Sequence, residues 1–143
     1  MFAAAASLAL SLAFLPQGNL ADPPQGLTIV VVDVGQGDGI VVRAPDGTVH
    51  VVDAGPEGEG TLSMLPAIGA LQPSGYGYSV VSHFHIYHMG GMDEVRNALP
   101  FQVALDRGDV NRPSNSSMTG YLNAAGAQRQ TIVVGGVYPL GGG

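Results

Sequence analysis

Leu27 to Val34 reads LTIVVVDV, and six of its eight residues are β-branched. Side chains of that kind are stiff at χ1 and pack best on a pleated surface, so this stretch commits the chain to a sheet. Because the run is almost uninterrupted by polar residues, it predicts a strand buried on both faces. Ile40 to Ala44 predicts a second strand and Thr48 to Asp53 a third, joined through Pro45-Asp46-Gly47, which has the residues a tight turn requires. The expectation is a hairpin beside a buried strand. Farther on, Thr61 to Leu71 has apolar residues at helical spacing (Leu62, Leu65, Ile68, Leu71), with Pro66 set to kink or delay it. Tyr78 to Ser82, Phe101 to Leu105 and Thr131 to Val134 predict strands; Gly91 to Leu99 and Met118 to Ala125 predict helices. Strands alternating with helices give an α/β class.

Composition narrows the functions open to such a domain. The chain holds 22 glycines and 10 prolines among 143 residues, yet 45% of it is hydrophobic, which is enough to build a core. Only 11% is charged, against roughly 25% in a usual globular domain. The net charge is -6, and the five basic residues are all arginine, so no basic stripe exists to hold a nucleic-acid backbone by charge. With no cysteine there is no disulfide, no thiol nucleophile and no thiolate metal site; a metal must be held by histidines and carboxylates. Gly35, Gly37 and Gly39 lead into a strand and not a helix, which removes the helix N-terminus that a dinucleotide pyrophosphate needs. No Gly-x-Ser-x-Gly elbow accompanies Ser79 or Ser82, so a serine hydrolase is not expected.

Phe2 to Leu15 is an apolar run of signal-peptide length, followed by Pro16, Gly18 and Asn19. It is too short to span a bilayer. Residues 1–21 are therefore expected to be an export signal, 22–26 a linker and 27–143 the folded domain. That predicts a secreted or periplasmic protein, although the run lacks the preceding Lys or Arg of a typical signal; a buried N-terminal helix of a cytoplasmic protein is the competing expectation.

The most informative stretch is Ser82-His83-Phe84-His85-Ile86-Tyr87-His88-Met89-Gly90-Gly91, which holds three of the four histidines. It follows a predicted strand and precedes a predicted helix, where loop residues project from a rigid edge. His83 and His85 share one side of an extended backbone, and His88 joins them only if the chain turns, as Gly90 and Gly91 permit. Neutral imidazoles on one short loop are good zinc ligands. His50, alone in mid-strand, reads as an ordinary structural histidine. Met89 and Met92 are expected to pack beneath the following helix.

This pattern resembles the metallo-β-lactamase superfamily, whose signature His-x-His-x-Asp-His lies between a strand and a helix. More narrowly it resembles the hydrolase domain of DNA-uptake channel proteins, through Asp33-Val34-Gly35-Gln36-Gly37-Asp38 and Val52-Asp53-Ala54-Gly55. The resemblance runs from about Leu27 to the C-terminus. It implies an αββα sandwich in which His83 and His85 serve a first metal, His88 serves a second, and Asp53 supports the histidine loop from behind. The implied chemistry is zinc-dependent hydrolysis, possible on a phosphodiester, a nucleotide or another small molecule: the metal lowers the pKa of its water to about 7 and polarises the oxygen under attack.

Two departures limit that implication. Tyr87 stands where the family has the Asp of the second metal, and a phenol that titrates near ~10 is a poor substitute for an anionic carboxylate. No histidine follows His88, and Val137 to Gly143 reads as a turn toward a further strand. The expectation is the N-terminal half of the sandwich only, impaired in catalysis and holding at most one zinc. The alternative is a non-catalytic fragment or degenerate paralogue that binds at most one metal. A half-sandwich also leaves a sheet face and edge uncovered, which predicts self-association.

Overall fold

The computed structural model describes residues 23–141. The expected export signal lies outside the described residues. Six strands form one sheet in the order β1 to β6: β1 Thr28–Val31, β2 Gly39–Arg43, β3 Thr48–Ala54, β4 Gly75–Val80, β5 Val103–Asp106 and β6 Arg129–Thr131. The first three are antiparallel and the remainder parallel to β3. The β2–β3 turn forms as expected: Gly47 N donates to Ala44 O at 2.9 Å, and Thr48 N donates to the Asp46 carboxylate at 2.8 Å. Each parallel step needs a crossover, and helices supply them. A π-helical turn at Gly60–Met64 continues into α1, Leu65–Ala70, with Leu65 N bonded back to Gly60 O and Pro66 placed where the two helical forms meet. Then come α2 Ile86–Met89, α3 Met92–Ala98 and α4 Ser116–Ala125, the last capped by the Asn115 side chain, which accepts from Met118 N at 2.9 Å.

Successive parallel strands laid down in one direction put their crossovers on the same side of the sheet. A single core cluster accordingly joins Val41, Val49, Val51 and Val81 of the sheet region to Met64 and Ile68, Met89, Met92 and Val95, and Met118 and Tyr121 from the helices. The expected packing of Met89 and Met92 is found, both fully buried.

On the opposite face, register aligns Val31, Ile40, Val52, Val80 and Leu105 side by side across five strands. None of these five belongs to the core cluster. No second sheet covers this row among the described residues. Toward its end the C-terminal segment folds back, with the Leu140 carbonyl 2.8 Å from His50 Nε2, while His50 Nδ1 accepts from Tyr78 N at 3.0 Å. His50 is thus a fully bonded structural histidine.

The α/β class is as expected, and three local expectations need correction. β1 is not buried between neighbours: it is the sheet edge, with Ile29 61% and Val31 74% exposed, because only β2 pairs with it. The histidine stretch is not wholly loop, since α2 forms within it. The last strand is Arg129–Thr131 rather than Thr131 to Val134. Its register follows from the Arg129 guanidinium, which donates to the buried Asp106 carboxylate at 2.6 and 3.1 Å and leaves Val133 and Val134 in solvent. Asp106 also accepts from Tyr121 OH at 2.8 Å and Gly108 N at 2.7 Å. Burial and that neighbouring carboxylate push the Tyr121 phenol well above its ordinary range, so it stays a donor.

Candidate metal centre

Asp53 closes β3 in a left-handed conformation, φ 57°, that Asp tolerates better than most residues. The twist sends its carboxylate beneath the chain leaving β4. There Oδ1 accepts from Ser82 N at 2.8 Å, and Oδ2 accepts from the Ser82 hydroxyl at 2.5 Å and from His88 Nδ1 at 3.0 Å. Asp53 is 2% exposed, and a carboxylate that deep needs those donors to offset its desolvation.

The Ser82 hydroxyl, having given its proton to Asp53, has lone pairs left for His83 Nδ1 at 3.0 Å. His83 and His88 are thereby tied through their Nδ1 atoms to one carboxylate, directly or through one hydroxyl. Each neutral ring then carries its free lone pair on Nε2, the arrangement by which an anchored histidine is oriented toward a metal.

The two rings lie close, 4.0 Å between centroids, and a nitrogen from each lies within 4.8 Å of an Asp53 oxygen and of the other. His85 stands apart, 6.2 Å from both rings. Its Nδ1 accepts from Tyr87 N at 3.4 Å, capping α2, and the Tyr87 ring packs at 5.0 Å. The structure therefore brings His83 to His88 more closely than to His85, while Tyr87 is turned against His85. α2 is what carries His88 back, since Met89 N bonds to His85 O and Gly90 N to Ile86 O, both at 3.0 Å.

The loop between β1 and β2 frames the other side. Asp38 Oδ2 lies 3.4 Å from His88 Nδ1, and Gly55 N donates to Asp38 O at 2.9 Å. Gly37, at φ 101°, touches α2 so closely that a Cβ there would collide with the Tyr87 carbonyl. Asp33 only shapes the turn, accepting from Gly35 N at 3.0 Å. Two contributors were not singled out from the sequence. Ser82 lacks a nucleophile motif, and its adjacency to His83 is the signal that the sequence offers for this role. Asp38 is marked in the sequence only by its place in the motif that begins at Asp33.

The model of the metallo-beta-lactamase superfamily matches residues 32–140. The chain belongs to the metallo-beta-lactamase superfamily. No curated protein matches it. Superfamily members are generally metal-dependent hydrolases, and two imidazoles beside a carboxylate are a donor set that suits zinc. The Asp53 oxygens already accept three hydrogen bonds, from Ser82 N, the Ser82 hydroxyl and His88 Nδ1. No helix among the described residues is long and apolar enough to cross a membrane.

Proposed function

We propose that this chain is a zinc-dependent hydrolase domain working on a single metal held by His83 and His88, with a phosphodiester or nucleotide as its substrate class. The observation that supports this most directly is the shared Asp53 network, which orients both imidazoles from behind. A bound zinc ion would supply Lewis acidity at the oxygen under attack and an acidified water. Asp53 and Ser82 keep the Nδ1 protons of the two histidines in place, and Asp38 adds negative charge beside His88. Tyr87 supplies no carboxylate, which favours one metal over two. It also favours a second reading, a domain that keeps one metal without turnover.

Elemental analysis of the chain purified with excess zinc is expected to give no more than one zinc per chain, lost on His83→Ala or His88→Ala. Two tightly held ions would overturn the single-metal reading. Zinc-dependent cleavage of bis(4-nitrophenyl) phosphate separates the hydrolase from the non-catalytic alternative.

The partner this reading assigns is a second copy of the chain, joined along β1 and the open sheet face. β1 carries no charge or proline to guard its outer edge, and Leu27, Ile29 and Val31 are exposed there. Sedimentation velocity is expected to show a concentration-dependent dimer that Val31→Lys shifts to monomer. A wild-type chain that remains monomeric at millimolar concentration would end this assignment.

A further inference from the structure

An open groove of about 350 Å³ runs beside the histidine loop, lined by His83, Phe84, His85, Arg107, Asn111 and Pro113. Arg107 is the unusual member. Of the chain's five arginines, Arg43 and Arg96 are buried and bonded within the protein, Arg43 to the Pro24 carbonyl and Arg96 to Ser79, Gln128 and the Ala124 carbonyl. Arg112 pairs with Asp109, and Arg129 pairs with Asp106 and Asp109. Among the described residues Arg107 is the exposed arginine without a carboxylate.

It is nevertheless held. Its guanidinium lies 4.9 Å from the centroid of the Phe84 ring, between His83 and His85 in the chain, and Nη2 donates to Asn111 O at 3.1 Å. Its backbone is flanked by Asp106 and Gly108, which the Asp106 carboxylate locks together. A guanidinium has five donors in a rigid fork, and one contact is spent on Asn111. The nearby acids that could have neutralised it are engaged by Arg112 and Arg129. In a chain of net charge -6, an anion would reach this face only through such a local cation.

We propose that Arg107 is the substrate-recognition residue of the groove, receiving an oxyanion, phosphoryl or carboxylate, of a molecule whose reacting bond lies at His83 and His88. This rests on the hydrolase reading for the position of the reacting bond, and on the groove alone for the anion.

The test is a titration of the metal-free chain with inorganic phosphate, followed by NMR. Shifts are expected at Arg107 Nε–H, Phe84 and His83, with affinity about tenfold lower in Arg107→Gln and partly retained in Arg107→Lys, which keeps charge but not the fork. Unchanged affinity in Arg107→Gln, or shifts confined to another surface, would overturn the proposal. Bis(4-nitrophenyl) phosphate and benzylpenicillin are then used as competitors. Displacement by the first assigns a phosphoryl group and by the second a carboxylate; displacement by neither overturns the substrate role. Zinc binding is measured in parallel. If wild type binds no zinc but phosphate still reports on Arg107, the hydrolase reading falls and the anion site stands. If zinc binds and Arg107→Gln leaves phosphate affinity unchanged, the reverse holds.

Discussion

Asp53→Asn is expected to lower zinc affinity by roughly 10–100-fold while preserving the fold. Asparagine tolerates the left-handed backbone at φ 57° as well as aspartate does, so the turn ending β3 survives. What is lost is the acceptor pair. One oxygen becomes an amide donor, and the Ser82 N–H, the Ser82 hydroxyl and His88 Nδ1 can no longer all be satisfied. Both histidine rings lose their common anchor, and the order of the rings before the metal arrives is lost with it. Competition against a chromophoric chelator measures the effect. Ser82→Ala should weaken binding less, because it frees only His83, and Asp33→Asn should leave zinc affinity unchanged. Wild-type affinity in Asp53→Asn would show that the carboxylate does not support the site.

Gly91→Ala is expected to destabilise the chain by about 3 kcal/mol, the upper end of what overpacking usually costs. A Cβ at Gly91 would stand 2.5 Å from both the Ala54 carbonyl oxygen and Gly60 N, and 2.9 Å from Gly60 Cα. These are backbone atoms at the end of β3 and the start of the π-helical turn, so no flexible side chain can move aside. Against a usual domain stability of about 5–15 kcal/mol, such a loss is large. It would also push α3 away from β3 and loosen the loop carrying His88. The urea midpoint reports it, with an unchanged slope if the transition stays two-state. Gly69→Ala is the contrasting case: nothing lies within 4 Å of its Cβ position inside α1, so it should stabilise by roughly 0.5–1 kcal/mol. Equal midpoints for the two variants would refute the packing argument.

Both expectations rest on contacts of different legibility. The β-branched runs of β1 to β3, the Pro45-Asp46-Gly47 turn and the helical spacing of Leu62, Leu65, Ile68 and Leu71 are local signals, and the elements they predict form with shifts at their ends. The histidine cluster was legible for the same reason, since three ligand-type residues lie within six positions. The absence of cysteine left imidazole and carboxylate as the only strong metal donors. α2 is not legible in the sequence because Ile86–Met89 is a single turn, too short for a hydrophobic period to mark it.

What the tertiary structure alone decided is which side chains meet. Asp53 reaches Ser82 across 29 residues and His88 across 35, and no local pattern encodes those distances. They depend on the parallel register of β3 with β4, on the left-handed twist at Asp53, and on the close backbone approach at Gly91. The same holds for β1, whose sequence suits a buried strand and whose place at the edge follows only from having a single neighbour. Arg107 is one arginine among five until the Phe84 ring and the ion pairs of Arg112 and Arg129 set it apart. Secondary structure is written in the preferences of adjacent residues, whereas a site is written in coincidences between distant ones, which exist only once packing has brought them within hydrogen-bond reach.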